Sequence, residues 1–225
     1  MYKYLFYSLA VLPKTIRKKI SKRLARYFIQ KYSVIEVKGL ENIPKEENII
    51  FIANHLSNAD GLIMQYVLEK VKEVVFLAGV KLQDELITSL ILELVPHIKI
   101  HPNKPDRKAL REAIEVVKNG NPLFVFPEGT RSRTGELLKG HSGVVLIARN
   151  TNSLIVPVAI WGTEKLLPIN AEGKMSKEWF MRADVYIKIG KPFSLTSLSE
   201  EGEIIDSMML RIAQLLPEKY KGYYK

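Results

Sequence analysis

The sequence predicts an α/β fold: a mixed, largely parallel central sheet flanked by helices, preceded by an N-terminal amphipathic helix pair. Three observations carry that reading. From residue 33 onward, apolar runs of strand length alternate with segments of helical periodicity. Two of the runs, IIFIA (49–53) and PLFVF (122–126), show no polar alternation, as expected of strands covered on both faces. The 225 residues, 47% hydrophobic and 26% charged, are enough for one substantial core.

The elements follow in order. Residues 1–12 are apolar nearly all round, but the uncharged run from Tyr4 to Leu12 is far shorter than the roughly 20 residues of a membrane span. Cationic sequence follows it and no small-residue cleavage site does, so a cleaved signal peptide is not expected. Residues 14–31 place Ile16, Ile20, Leu24, Tyr27 and Phe28 at helical spacing on one face, with Lys18, Lys19, Lys22, Arg23 and Arg26 on the flanks and opposite side. Residues 33–39 alternate like a half-exposed strand and 49–53 are a buried one. A helix is expected over about 60–72, a strand over 73–79, a helix over 84–95 and a short strand over 97–100. Residues 105–119 read as a helix with Asp106 near its start and Gly120 after its end. There follow the strand 122–126, a helix near 142–150, strands at 154–160 and 183–190, and a last helix near 200–216. That helix would bury Ile204, Ile205, Met208, Met209, Ile212 and Leu216.

Charge divides the chain in two. Residues 1–32 hold nine Lys and Arg and no carboxylate, leaving 25 cations against 24 carboxylates in the remainder. We therefore read residues 1–32 as basic membrane-interface helices and 33–225 as the domain that carries the chemistry. A basic amphipathic segment seeks an anionic partner, and a lipid surface suits it better than nucleic acid, for which no motif is present. There is no cysteine, which excludes disulfides, thiolate metal sites and a cysteine nucleophile. His97 and His101 have a spacing compatible with ligation, but they flank a strand-like segment without a carboxylate at motif spacing, so no metal site is expected.

The candidate chemistry lies in two loops, each leaving a buried strand. IIFIA runs into NHLSNAD, and PLFVF runs into PEGTRS. In open α/β sheets ligands bind beyond the carboxyl ends of strands, so the two loops converge if their strands are parallel neighbours. His55 can accept a proton, and Asp60 can fix its tautomer. Five steps of about 100° would leave the two side chains on different faces of a regular helix, so they meet only if the chain turns between them. Ser57 and Asn58 supply turn chemistry. Read alone, the pair is equally compatible with turn and N-cap residues. In the second loop, Gly129 permits close backbone approach, Arg131 is a forked donor suited to phosphate, and Thr130 and Ser132 add hydroxyls. Glu128 is an odd neighbour for a phosphate unless it binds a hydroxyl or fixes the arginine.

Together these motifs resemble the glycerolipid acyltransferase family, the group that includes 1-acyl-sn-glycerol-3-phosphate acyltransferases. The Asn-His-x4-Asp motif matches Asn54, His55 and Asp60; Phe-Pro-Glu-Gly-Thr-Arg-Ser matches Phe126 to Ser132; a Val-Pro-Val strand matches Val156, Pro157 and Val158. Lys81 falls where the family often carries a lysine, and IGKPF (189–193) resembles its closing strand. One departure stands out: where the family usually offers an arginine after the strand at 97–100, this chain reads HPNKPDR, and Lys104 or Arg107 is the nearest substitute.

The resemblance implies a glycerophosphate acyltransferase-like fold and transfer of an acyl chain from acyl-CoA or acyl-carrier protein to 1-acyl-glycerol-3-phosphate, giving phosphatidic acid. It implies His55 as general base, Asp60 as its orienter, Arg131 as the phosphate grip and Glu128 as an organiser of the acceptor site. Gly129, Thr130, Ser132, Lys81 and Lys104 join the acceptor site, Asn54 and Ser57 support the first motif, and Pro157 supports the acyl site. No cofactor beyond the thioester co-substrate is implied. The expected location is the cytoplasmic face of the cell membrane, held as a monotopic or peripheral protein through anionic lipid at residues 1–32. Glycerol 3-phosphate or another lysophospholipid is the alternative acceptor; a non-catalytic lipid-surface binding protein, or a nucleic-acid-binding module, is the alternative of another class.

Overall fold

A computed structural model describes residues 9, 11–45, 48–79, 92–101, 106–170, 178–198 and 203–225. Helix α1 (Lys14–Tyr32) leads into strand β1 (Ser33–Lys38). β2 (Ile49–Ala53), α2 (Asp60–Leu68), β3 (Val75–Gly79) and β4 (His97–Ile100) follow. Then come α3 (Arg107–Lys118), β5 (Leu123–Val125), α4 (Gly143–Thr151) and β6 (Leu154–Trp161). The short α5 (Thr163–Leu166), β7 (Ala183–Ile189) and α6 (Ile204–Ala213) complete the chain. The seven strands form one sheet in the order β1-β7-β6-β2-β5-β3-β4. β6, β2, β5, β3 and β4 are mutually parallel, whereas β7 runs antiparallel to β6 and carries β1 parallel to itself. The mixed, largely parallel sheet is the predicted one.

β2 explains why the core has two halves. Its side chains alternate between faces and all five residues are buried. Ile50 and Ile52 join the apolar layer built with α3, α4 and α6, including Ala113, Ile147 and Met208. Ile49, Phe51 and Ala53 join the opposite layer with Ile29 of α1 and Ile63 and Met64 of α2. Each of the larger side chains, Ile, Phe and Met, contributes about 1.5–3 kcal/mol on burial, which fixes the central strand and the loop that leaves it. Pairing of Ile50 with Leu123 and of Ala53 with Val158 sets the register of the neighbours on either side.

Several expectations change. The helix expected over 60–72 stops at Leu68, whose carbonyl accepts from both Val71 and Lys72 N–H in a closing turn. Strand β3 begins at Val75 rather than 73. The last helix ends at Ala213, and Leu215 and Leu216 turn back on it with tighter bonds; Ile205, Met208, Met209, Ile212 and Leu216 are buried, Ile204 only partly. The capping of α3 is as expected: Asp106 accepts from Ala109 N–H at 3.0 Å, and Gly120 takes φ 81° beyond the end. The first piece of the expected helix pair, residues 1–12, and the helix expected over 84–95 lie largely outside the described residues, as do Lys81 and Lys104.

The predicted apolar face of α1 is split. Phe28 turns inward, stacked on Tyr32 and on Phe180, beside buried Ser21 and Ile29. Ile16, Ile20 and Tyr27 point outward and are 50%, 37% and 53% exposed. Lys22 and Arg26, expected to face an anionic partner, instead both pair with Glu69 just beyond α2, at 2.9 and 2.5 Å. Lys14, Lys18, Lys19 and Arg23 remain exposed. Among the described residues, no helix is long and apolar enough to cross a membrane.

Candidate functional site

β2 and β5 are parallel neighbours, so the two motif loops leave the sheet side by side at its carboxyl edge. The first loop is tied down at both ends. The Asn54 amide donates to the carbonyl of Ile160 at 2.7 Å and accepts from its N–H at 2.8 Å, imitating a further rung between β2 and β6. Ser57 Oγ donates to Leu167 carbonyl at 2.8 Å and accepts from Ala59 N–H, closing the turn that the spacing of five requires. Asp60 N–H then donates to Ser57 carbonyl, and Asp60 opens α2.

That turn carries Asp60 back onto the loop. Its carboxylate is fully buried, and one oxygen, Oδ2, takes the N–H of Leu56 at 2.7 Å, the N–H of Ser57 at 2.8 Å and His55 Nδ1 at 2.7 Å. Two backbone donors and the start of a helix turn the positive ends of their dipoles toward this carboxylate. In the neutral tautomer that donates Nδ1–H to Asp60, Nε2 of His55 is an acceptor on the ring's other edge, and the side chain is 20% exposed. A base with a fixed tautomer and an accessible lone pair is what this arrangement provides.

The second loop is locked against His55 at three points. The Phe126 ring, at the end of β5, stacks on the imidazole with centroids 4.1 Å apart and planes within 15°. Ser132 N–H donates to His55 carbonyl at 2.7 Å. Glu128, 2% exposed, accepts His55 N–H at 2.7 Å on one oxygen and Leu138 N–H at 2.9 Å on the other. Burial pushes the Glu128 carboxyl up to about 8, against the pull of its two N–H donors, and the nearby Asp60 charge adds to the rise. Both its oxygens are thus directed at backbone, joining the two loops, rather than at Arg131. Gly129 turns the loop at φ 66°, and a Cβ there would sit 3.1 Å from the His141 ring.

Arg131 lies half-buried near Glu178, Nη1 to Oε1 3.7 Å. Burial draws its guanidinium below the ordinary value, opposed by the carboxylates of Glu178 and Asp60. Thr130 is exposed beside it, and the Ser132 hydroxyl is buried near Thr134. Pro157 is buried inside β6, opposite Ile52 near the end of β2. Arg107 is exposed at the start of α3. His97 bonds the carbonyl of Val95, and His101 pairs with Asp106; no group of metal-binding residues occurs among the described residues. Two residues that sequence reasoning passed over belong to the site, Asn58 and Glu178, bonded at 2.6 Å. Asn58 was visible only as a turn residue, and Glu178 carries no motif signal.

Residues 34–161 match the acyltransferase family model. The chain belongs to the acyltransferase family. Among its relatives, a 1-acyl-sn-glycerol-3-phosphate acyltransferase of Borreliella burgdorferi is 33% identical over 131 residues, 57% of this chain and 52% of that protein. A probable 1-acyl-sn-glycerol-3-phosphate acyltransferase of Mycoplasma pneumoniae is 33% identical over 162 residues, 67% and 58% of the two chains. The chain spans about half the length of the curated relatives it matches. The crystal structure of the 1-acyl-sn-glycerophosphate (LPA) acyltransferase, PlsC, from Thermotoga maritima superimposes with a TM-score of 0.65 at 30% identity, covering 94% of this chain and 86% of that one.

Proposed function

We propose that this protein transfers an acyl chain from an acyl thioester, acyl-CoA or acyl-carrier protein, to the free hydroxyl of 1-acyl-glycerol-3-phosphate, giving phosphatidic acid. The observation that carries the reading is the buried Asp60 carboxylate 2.7 Å from His55 Nδ1 in the loop beyond β2. In this route Nε2 of His55 takes the hydroxyl proton as the oxygen attacks the thioester carbonyl. The Asp60 carboxylate stabilises the imidazolium that forms. Collapse of the tetrahedral intermediate breaks the C–S bond, and the departing thiolate takes the proton back from His55. The absence of cysteine and of a Gly-x-Ser-x-Gly elbow in this sequence fits a route without an acyl-enzyme. Arg131 receives the acceptor phosphate through charge-assisted hydrogen bonds. The thioester is the only co-substrate the route uses.

The test is thiol release from acyl-CoA with and without lysophosphatidate. Release that depends on the acceptor, with phosphatidate as the lipid product, supports the reading; the absence of any acceptor dependence sinks it.

Membrane attachment, at the cytoplasmic face, belongs to the same proposal. The outward stripe of Ile16, Ile20 and Tyr27, edged by Lys19 and Arg23, fits a lipid surface with anionic headgroups. Both ends of the reaction are lipids, so a docked site takes substrate from the bilayer and returns product to it. Replacing Ile16 and Ile20 together by Asp removes two exposed side chains without touching the core. Binding to anionic vesicles should weaken at least about tenfold, with Tm unchanged. Vesicle binding at the wild-type level would rule out this face.

A further inference from the structure

Glu178 sits outside every motif, on a segment whose next residues include exposed Trp179 and Met181, yet its own side chain is fully buried. Its carboxylate reaches both motif loops at once. Oε2 accepts from Asn58 Nδ2 at 2.6 Å, and Oε1 lies 3.7 Å from Arg131 Nη1. Asn58 stands between His55 and Asp60 in the first loop, and Arg131 belongs to the second. One donor from each loop therefore converges on a single carboxylate. Phe180 seats this segment by stacking on Phe28 of α1 at 5.7 Å.

The fit is incomplete on the arginine side. Nη1 is buried and makes no hydrogen bond among the described residues. At 3.7 Å it feels the charge of Glu178 without being satisfied by it, although a guanidinium fork prefers oxygens at about 2.7–2.9 Å. A phosphate, with three oxygens splayed from one centre, can serve Asn58 and Arg131 together where a single carboxylate oxygen pair does not.

We infer that Glu178 is an internal placeholder for the acceptor phosphate: it holds Asn58 and Arg131 in position before substrate arrives and is displaced by the phosphate. The inference rests on the reading of Arg131 as the phosphate grip. It makes Glu178 a positioning and specificity-determining residue. With Glu178 in place its carboxylate offsets the charge of Arg131. Only an acceptor whose anionic group outcompetes the carboxylate gains from entering, and an uncharged acceptor gains nothing there.

Calorimetric titration with glycerol 3-phosphate, alongside steady-state kinetics, separates the possibilities. In Glu178→Gln, which keeps an acceptor for Asn58 but removes the charge, Kd for glycerol 3-phosphate should fall about tenfold. KM for lysophosphatidate should fall with it, the gain lying in KM rather than kcat, while KM for uncharged monoacylglycerol stays put. Glu178→Asp, which keeps the charge, should bind glycerol 3-phosphate like the wild type. In the wild type itself, amide hydrogen exchange at Trp179–Met181 should quicken on adding glycerol 3-phosphate, a readout that needs no variant to fold. Unchanged or weaker binding by folded Glu178→Gln, no binding by either protein, or exchange that stays the same or slows, each overturns the inference. Tighter binding in Glu178→Gln without turnover of lysophosphatidate in the wild type would instead sink the proposed reaction and leave Glu178 as placeholder.

Discussion

In His55→Ala, acceptor-dependent thiol release from acyl-CoA should fall about a thousandfold in kcat, while Tm stays close to wild type. The fold loses little because the ring is partly exposed and its main packing partner is the Phe126 face. Catalysis would lose the proposed proton acceptor, whose side chain is 20% exposed. Asp60→Asn tests the partner by a different route. The asparagine oxygen still accepts the N–H groups of Leu56 and Ser57, which now bond Asp60 Oδ2 at 2.7 and 2.8 Å. The same oxygen faces His55 Nδ1 at 2.7 Å, so the ring keeps its hydrogen bond but loses the negative charge that would stabilise the imidazolium. The loss should reach about 10²–10⁴-fold in kcat with the fold retained. A folded His55→Ala protein within about tenfold of wild-type kcat would overturn the assignment.

Much of this site was legible because its signals are local. Continuous apolar runs mark β2 and β5 as strands covered on both faces, and the loops after them hold the polar residues. The spacing from His55 to Asp60 demanded a turn, and Ser57 supplies it through the N–H groups of Asp60 and Ala59. What escaped depends on contacts distant in sequence. Asn58 meets Glu178 across 120 residues, and Asn54 meets Ile160 across 106, so nothing near either residue announces the partner. Glu128 looked misplaced beside a phosphate because its targets are main-chain N–H groups, which are identical at every residue and leave no mark in the sequence. The face of α1 was misjudged for another reason. The helix has two apolar edges, Ile16–Ile20–Tyr27 and Phe28–Ile29–Tyr32, and spacing alone does not say which one the sheet will bury. Glu69 and Phe180 decide it, from other parts of the chain.

Glu128→Ala should be the most destabilising single change at the site, lowering Tm by about 10 °C and kcat by at least tenfold. Truncation strands two buried N–H groups, those of His55 and Leu138, each of which now donates to a carboxyl oxygen at 2.7 and 2.9 Å. Each orphaned donor costs about 1–3 kcal/mol, and the loss falls on the bond that holds the backbone of His55. The C-terminal segment would not compensate: Tyr220 carbonyl and Tyr223 N–H bracket Leu137, but neither reaches His55. Glu128→Gln should fall between, since its one oxygen serves only one of the two donors. The pH dependence follows from the carboxyl pKa, raised from the usual 4.5 to about 8 in the folded protein. The folded state then holds a proton that the unfolded state has released, so the stability tied to this proton is fully present below about 4.5 and is lost as pH rises through about 8. Wild type should therefore lose stability relative to Glu128→Gln between about pH 4.5 and 8, read as a narrowing gap between their denaturant-unfolding free energies. A gap that stays constant over that range would mean that Glu128 is ionised in the folded protein and that its two N–H donors, rather than burial, set its charge.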